Sequence, residues 1–252
     1  MQENIKIKNS KDQNLAAVIN RSEKKTNKLA ILCPGFLDSK DYLGLKGLAD
    51  MLSQKGFTVV RFNPTGTWDS EGDISEFTTS QYLKDIKSVK DFMLQEGEYK
   101  YILLSGHSMG GRMSMLFAEE DSQVSILVVI MSGNKFSGEN RWGIDGIRID
   151  MRDLPNNPSE KIQYSVPLSF VKDAQKYDTL KKIKNLHTPI LFVAGEKDHL
   201  CPPSKMQPMF DEANESKKFV IVPDIGHDYR HFPEQVEKVN KVIMDYIKEL
   251  NA

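Results

Sequence analysis

The pentapeptide Gly106-His107-Ser108-Met109-Gly110 carries residue types and a spacing that suit nucleophilic chemistry. It follows the apolar run 101–105 and precedes the good helix-forming segment 111–120. That order spells strand, tight turn, helix. In such a turn the central serine takes a strained backbone that holds its hydroxyl above the end of the sheet. Flanking glycines are needed wherever a Cβ would collide with the neighbouring strand and helix. Ser108 is therefore the candidate nucleophile.

A serine hydroxyl attacks poorly without a base, and the base, usually a histidine, needs a carboxylate to fix its tautomer and stabilise the imidazolium. Both types occur downstream of Ser108 in the order Ser, Asp, His. The acid is expected in Gly195-Glu196-Lys197-Asp198, after the β-rich run 189–194, and the base in Ile225-Gly226-His227-Asp228, after the run 219–222. Glu196, Asp224 and Asp228 compete with Asp198. A carboxylate adjacent in sequence to the histidine rarely reaches Nδ1 in line, which favours Asp198. His231 lies four residues after His227, the spacing of a metal pair, but no third ligand has matching context and no metal is expected.

The elements that must position these groups read in chain order as an α/β rhythm. Runs 5–8 and 15–20 suit an opening antiparallel hairpin, and 29–33 a buried parallel strand. A helix over 42–55 with apolar residues at helical spacing stops at Gly56, and a strand over 57–62 follows. An amphipathic helix over 79–95, the strand 101–105, the helix after Ser108 and the apolar strand 124–131 come next. Strand 189–194, helix 205–213, strand 218–222 and helix 233–250 complete eight strands. The three candidate groups would converge at the C-terminal ends of parallel strands, where open α/β sheets place their sites.

Four pieces, Pro34-Gly35-Phe36, Gly106 to Gly110, Gly195-x-x-Asp198 with Pro202, and Gly226-His227, span most of the chain. On them the sequence resembles the α/β-hydrolase superfamily. Within it, residues 169–178 leading into 184–189 are most similar to the small-cap cinnamoyl or feruloyl esterase and serine-aminopeptidase-like esterases. The resemblance implies a single domain over 1–252, with a mostly parallel eight-stranded sheet flanked by helices and a small cap inserted after strand 6. It also implies an oxyanion hole built from the backbone N–H groups of Phe36 and Met109. Pro34 stands where the resembled family usually has histidine, but a backbone donor does not depend on that side chain.

Residues 134–178 do not read as regular βα units, carrying Trp142, Gly143, Gly146, Pro155, Pro158 and Pro167 among polar clusters. Loops this long in compact domains are usually functional, so this segment is the expected cap, at about 134–178. Trp68, Trp142 and Tyr164 are the candidate substrate contacts, with packing of Trp68 on its own loop the competing reading.

Lys and Arg total 34 against 35 Asp and Glu, a net charge of -1, so no overall basic field supports nucleic-acid binding. Two cysteines, Cys33 and Cys201, fit a reducing compartment. The N-terminus shows no signal-peptide core and no apolar run approaches a membrane span, so a cytoplasmic location is expected. A broad apolar helix face suits the core or a homodimer equally. The expected activity is hydrolysis of short-chain or aromatic carboxylic esters, small-molecule substrates, through an acyl-enzyme with no cofactor. The alternatives are a peptidase or thioesterase using the same groups, and a small-ligand receptor on a hydrolase fold.

Overall fold

The computed structural model describes residues 2–136 and 141–250. Residues 137–140 of the expected cap lie outside the described residues. The chain opens with β1 (Gln2–Lys8) and β2 (Asn14–Asn20), an antiparallel pair, followed by β3 (Lys28–Cys33), α1 (Leu43–Gln54) and β4 (Thr58–Phe62). Then come α2 (Thr79–Glu96), β5 (Tyr101–His107), α3 (Met109–Glu120) and β6 (Val124–Ile130). Beyond 136 lie β7 (Ile147–Leu154), β8 (Asn157–Pro167), α4 (Ser169–Ala174) and α5 (Thr179–Ile183). β9 (Ile190–Gly195), α6 (Pro203–Glu212), β10 (Lys217–Val222) and α7 (Pro233–Glu249) complete the order.

Eight strands form one sheet in the order β1-β2-β4-β3-β5-β6-β9-β10. Only the β1·β2 and β2·β4 pairs are antiparallel. The central strands are apolar on both faces because helices cover both. On one face Ile31, Leu104, Val129 and Phe192 pack with Ile86, Val89 and Met93 of α2 and Met113 of α3. On the other, Leu32, Leu103, Val128 and Leu191 pack with Leu48 and Leu52 of α1 and Val239 and Ile243 of α7. Each such fully buried side chain contributes about 1.5–3 kcal/mol relative to exposure.

Helix ends follow local chemistry. The Thr78 hydroxyl accepts from the Gln81 N–H at the start of α2, satisfying one of its free donors. Proline at the first position of α6 and α7 has no N–H to leave unpaired.

The stretch after β6 is more regular than its sequence suggests. β7 and β8 pair as an antiparallel hairpin, Arg148 opposite Val166 and Arg152 opposite Ile162. Its alternation is inverted: Ile149 and Met151 are 55% and 47% exposed, while Arg148 and Arg152 face the molecule and line a cavity. The hairpin region is tied down in part through backbone carbonyls. Arg112 of α3 donates to the carbonyls of Ala174 and Tyr177, both at 2.9 Å. The Tyr42 hydroxyl donates to the Asp153 carbonyl at 2.8 Å, and Trp142 Nε1 to that of Val166 at 2.9 Å. Arg152 reaches the other way, to the Phe36 carbonyl at 3.0 Å.

Candidate active site

The turn between β5 and α3 is tight at two glycines. A Cβ on Gly106 would sit 2.2 Å from the Gly110 carbonyl carbon, and one on Gly110 would sit 2.1 Å from the Cys33 carbonyl oxygen. Between them Ser108 takes φ 53°, ψ −119°, a conformation a non-glycine residue holds only when its surroundings enforce it. Enforcement comes from its N–H, which donates to the Ile130 carbonyl at 2.8 Å and carries the β5·β6 ladder one residue into the turn.

The loops after β9 and β10 bring two more groups to this point. His227 Nε2 lies 3.0 Å from Ser108 Oγ, and His227 Nδ1 lies 2.8 Å from Asp198 Oδ2. The other Asp198 oxygen accepts from the N–H groups of Leu200 and Cys201, each at 2.8 Å. Burial by itself would raise the Asp198 pKa. The His227 hydrogen bond and charge and the two backbone donors outweigh it, so the carboxyl stays below its ordinary range. The competing carboxylates are engaged elsewhere: Asp224 pairs with Lys197, Asp228 with Arg230, and Glu196 accepts from the Asp224 N–H.

Behind His227 lies a second buried polar cluster that sequence reasoning missed. The His107 ring packs 4.8 Å from that of His227, and its Nδ1 is 3.4 Å from Asp38 Oδ2. Arg230 Nε holds the other Asp38 oxygen at 3.2 Å. Burial, reinforced by the nearby His227 and Arg230 and opposed by Asp38, lowers the His107 pKa to about 4. His107 is thus neutral at pH 7, and its contact with Asp38 is a hydrogen bond from Nδ1–H to a carboxylate. Burial would raise the Asp38 pKa, but Arg230, His107 and Arg152 together hold it well below the usual range.

Ser108, Met109 and His227 open on a cavity of about 440 Å³, which Phe36, Phe136 and Phe170 also line. Phe36 is gripped from the hairpin side: the Arg148 guanidinium lies 4.9 Å from its ring, within cation–π range. The three aromatic residues expected to touch substrate are not among the lining residues. Trp68 Nε1 donates to the Leu37 carbonyl at 3.1 Å, and the Trp68 N–H donates to the Tyr164 hydroxyl at 2.7 Å. Those two rings therefore pack on each other's loops. Trp142 is buried behind Phe136 and Phe170, with ring centroids at 5.8 and 6.2 Å. Its indole supports the wall without forming it.

The arginines of β7 were also unanticipated, although Ile147-Arg-Ile-Asp-Met-Arg has the period of a strand and Pro155-Asn156 is a turn signal.

The family model described as serine aminopeptidase, S33, matches residues 24–164. Rat palmitoyl-protein thioesterase ABHD10, mitochondrial, is 23% identical over 181 residues, which cover 68% of this chain and 59% of the relative. An acyl transferase of Shewanella hanedai is 26% identical over 212 residues, 80% of this chain and 68% of the relative. The chain thus spans less than two thirds of the length of the mammalian relatives it matches. Among solved structures, Est1E of Butyrivibrio proteoclasticus with bound ferulic acid superposes with a TM-score of 0.80 at 19% identity. That likeness covers 97% of this chain and 98% of the other. No helix among the described residues is long and apolar enough to cross a membrane.

Proposed function

We propose, for a chain that belongs to the serine aminopeptidase, S33, family of α/β-hydrolases, that it hydrolyses carboxylic esters through a serine acyl-enzyme. One observation carries the reading: Ser108, His227 and Asp198 form a continuous hydrogen-bonded chain, at 3.0 and 2.8 Å, at the wall of a cavity. Ser108 Oγ attacks the acyl carbon as His227 Nε2 takes its proton, and Asp198 stabilises the imidazolium. The N–H groups of Phe36 and Met109 hold the oxyanion. Neither makes a hydrogen bond among the described residues, which leaves both free for substrate. Such a donor typically contributes about 3 kcal/mol to the transition state. His227 then protonates the leaving alcohol, the C–O bond breaks, and a water deprotonated by His227 releases the acid and regenerates Ser108.

Within this reading the hairpin region is a cap over the acyl site. A thioesterase is the second reading, favoured by the thioesterase activity for which the mammalian relatives are named; the same steps apply with a thiol leaving group. The cytoplasmic location belongs to the proposal too, against a mitochondrial one in those relatives' names.

The test is turnover of 4-nitrophenyl acetate, butyrate and octanoate and of methyl ferulate by the protein and by Ser108→Ala. A fluorophosphonate probe reports the nucleophile separately. Loss of turnover by about 10³-fold or more and loss of labelling in the variant are expected. Equal activity in the variant would overturn the assignment.

A further inference from the structure

Charge is spread evenly over this sequence, which nets -1, but not over this cavity. Among the described residues that line it, cationic side chains outnumber carboxylates seven to two. Both carboxylates, Asp38 and Asp228, are already engaged by Arg230, at 3.2 and 2.8 Å. Arg148 pairs with Asp150 at 2.5 Å. Among the described residues the other cations lack a carboxylate this close. Lys135 and Arg141 have no carboxylate within ion-pair distance among the described residues, and Lys205 Nζ donates only to the Leu200 carbonyl, at 2.9 Å. Arg152 is 3.9 Å from Asp150, which Arg148 already holds, and its buried Nε has no hydrogen-bond partner.

Cations elsewhere in the chain are treated differently. Buried Lys40 lies between Asp41 and Asp69, at 2.8 and 2.9 Å, and Lys182 bridges Glu119 and Glu120. Among the described residues, like charges gathered with too few counter-charges around one concave, partly apolar site repel one another, and a bound anion relieves that repulsion. A cavity of about 440 Å³ suits a small-molecule ligand.

We propose that the cavity selects acyl esters or thioesters bearing an anionic group, a carboxylate or phosphate held by Arg152, Lys135, Arg141 and Lys205 while the acyl carbon sits at Ser108. The proposal rests on the hydrolase reading and narrows its substrate class. The anion has two sources: a carboxylate ending the acyl chain, or phosphate on the leaving group.

Two matched pairs separate them. Mono(4-nitrophenyl) glutarate is compared with 4-nitrophenyl valerate, and butyryl-coenzyme A with S-butyryl-N-acetylcysteamine. For each pair the ratio of kcat/KM is measured on the protein and on the triple variant Lys135→Gln, Arg141→Gln, Lys205→Gln. At low salt the anionic member of at least one pair should be favoured by about tenfold or more. That ratio should fall toward one in the triple variant and in about 1 M salt, where the screening length shrinks to about 3 Å. A preference confined to the glutarate places the anion on the acyl chain, and one confined to coenzyme A places it on the leaving group; either supports the proposal. Ratios of one or below in both pairs, or ratios untouched by the triple substitution, would overturn it. Ser108-dependent turnover of the neutral members would then leave the hydrolase reading standing, whereas turnover of none of the four would sink both.

Discussion

Asp198→Asn keeps the shape of the side chain and inverts one hydrogen bond. Asp198 Oδ1 accepts from two backbone donors, the N–H groups of Leu200 and Cys201, each at 2.8 Å. In the variant the amide oxygen must stay on those donors. Turning the amide over would face its NH2 against two N–H groups and forfeit two hydrogen bonds, at a cost of at least about 2 kcal/mol. The amide nitrogen then faces His227 Nδ1 and donates to it. The histidine proton is forced onto Nε2, which points at Ser108 Oγ from 3.0 Å and cannot accept the serine proton. Reaching the competent tautomer costs the 2 kcal/mol of that turn. Losing the carboxylate opposite the imidazolium costs about 2–3 kcal/mol more. Together these amount to about 4–5 kcal/mol, a fall in kcat of about 10³- to 10⁴-fold. The assay is kcat on 4-nitrophenyl butyrate alongside thermal unfolding. A variant that unfolds at the temperature of the parent yet keeps kcat within tenfold would refute the argument that Asp198 acts through His227.

Two further outcomes are expected. His107 has its pKa lowered by burial to about 4 from 6.5, so it contributes stability above pH 6.5 that is lost as pH falls toward 4. The full effect is about 3 kcal/mol. Urea unfolding at pH 7 and pH 4.5 should show this drop in the parent and a smaller one in His107→Gln; parallel profiles would count against it. Trp68→Phe removes the hydrogen bond to the Leu37 carbonyl and should lower unfolding free energy by about 1 kcal/mol. A shift in KM with no change in stability would instead return Trp68 to the substrate wall.

What could be read from the sequence follows from where the physics is local. The central strands announce themselves because burial on both faces demands unbroken apolar runs, as in Ile190 to Ala194. The turn at Ser108 announces itself because only glycine fits where the Gly110 position approaches the Cys33 carbonyl. Asp198 and His227 are legible as residues that follow such strands. The hairpin was not, because β7 reverses the usual rule: its arginines turn inward to the cavity and Ile149 and Met151 turn out. An alternation of that kind has a strand's period but gives no sign of which face is covered. The aromatic residues mislead for a related reason. Trp68, Trp142 and Tyr164 are large enough to form a cavity wall, yet each spends its polar atom on a neighbouring loop or strand, a partner set by tertiary contacts. His107 and Asp38 meet across 69 positions, so no local pattern signals their contact.

Some joints between the hairpin region and the sheet layer need particular side chains, Tyr164 accepting from the Trp68 N–H and Asp173 from Ser80, while several use main-chain acceptors, the carbonyls of Ala174, Tyr177, Asp153 and Phe36. Every amino acid supplies a carbonyl, so these joints do not constrain the identity of the residue that accepts. Away from Arg152, Tyr164 and Asp173, substitution can therefore proceed along this region while the donors Arg112 and Tyr42 continue to seat it. Those other positions can change ligand preference without a compensating change beneath, and diversity among descendants of this chain should collect there ahead of the strands that carry Ser108, Asp198 and His227.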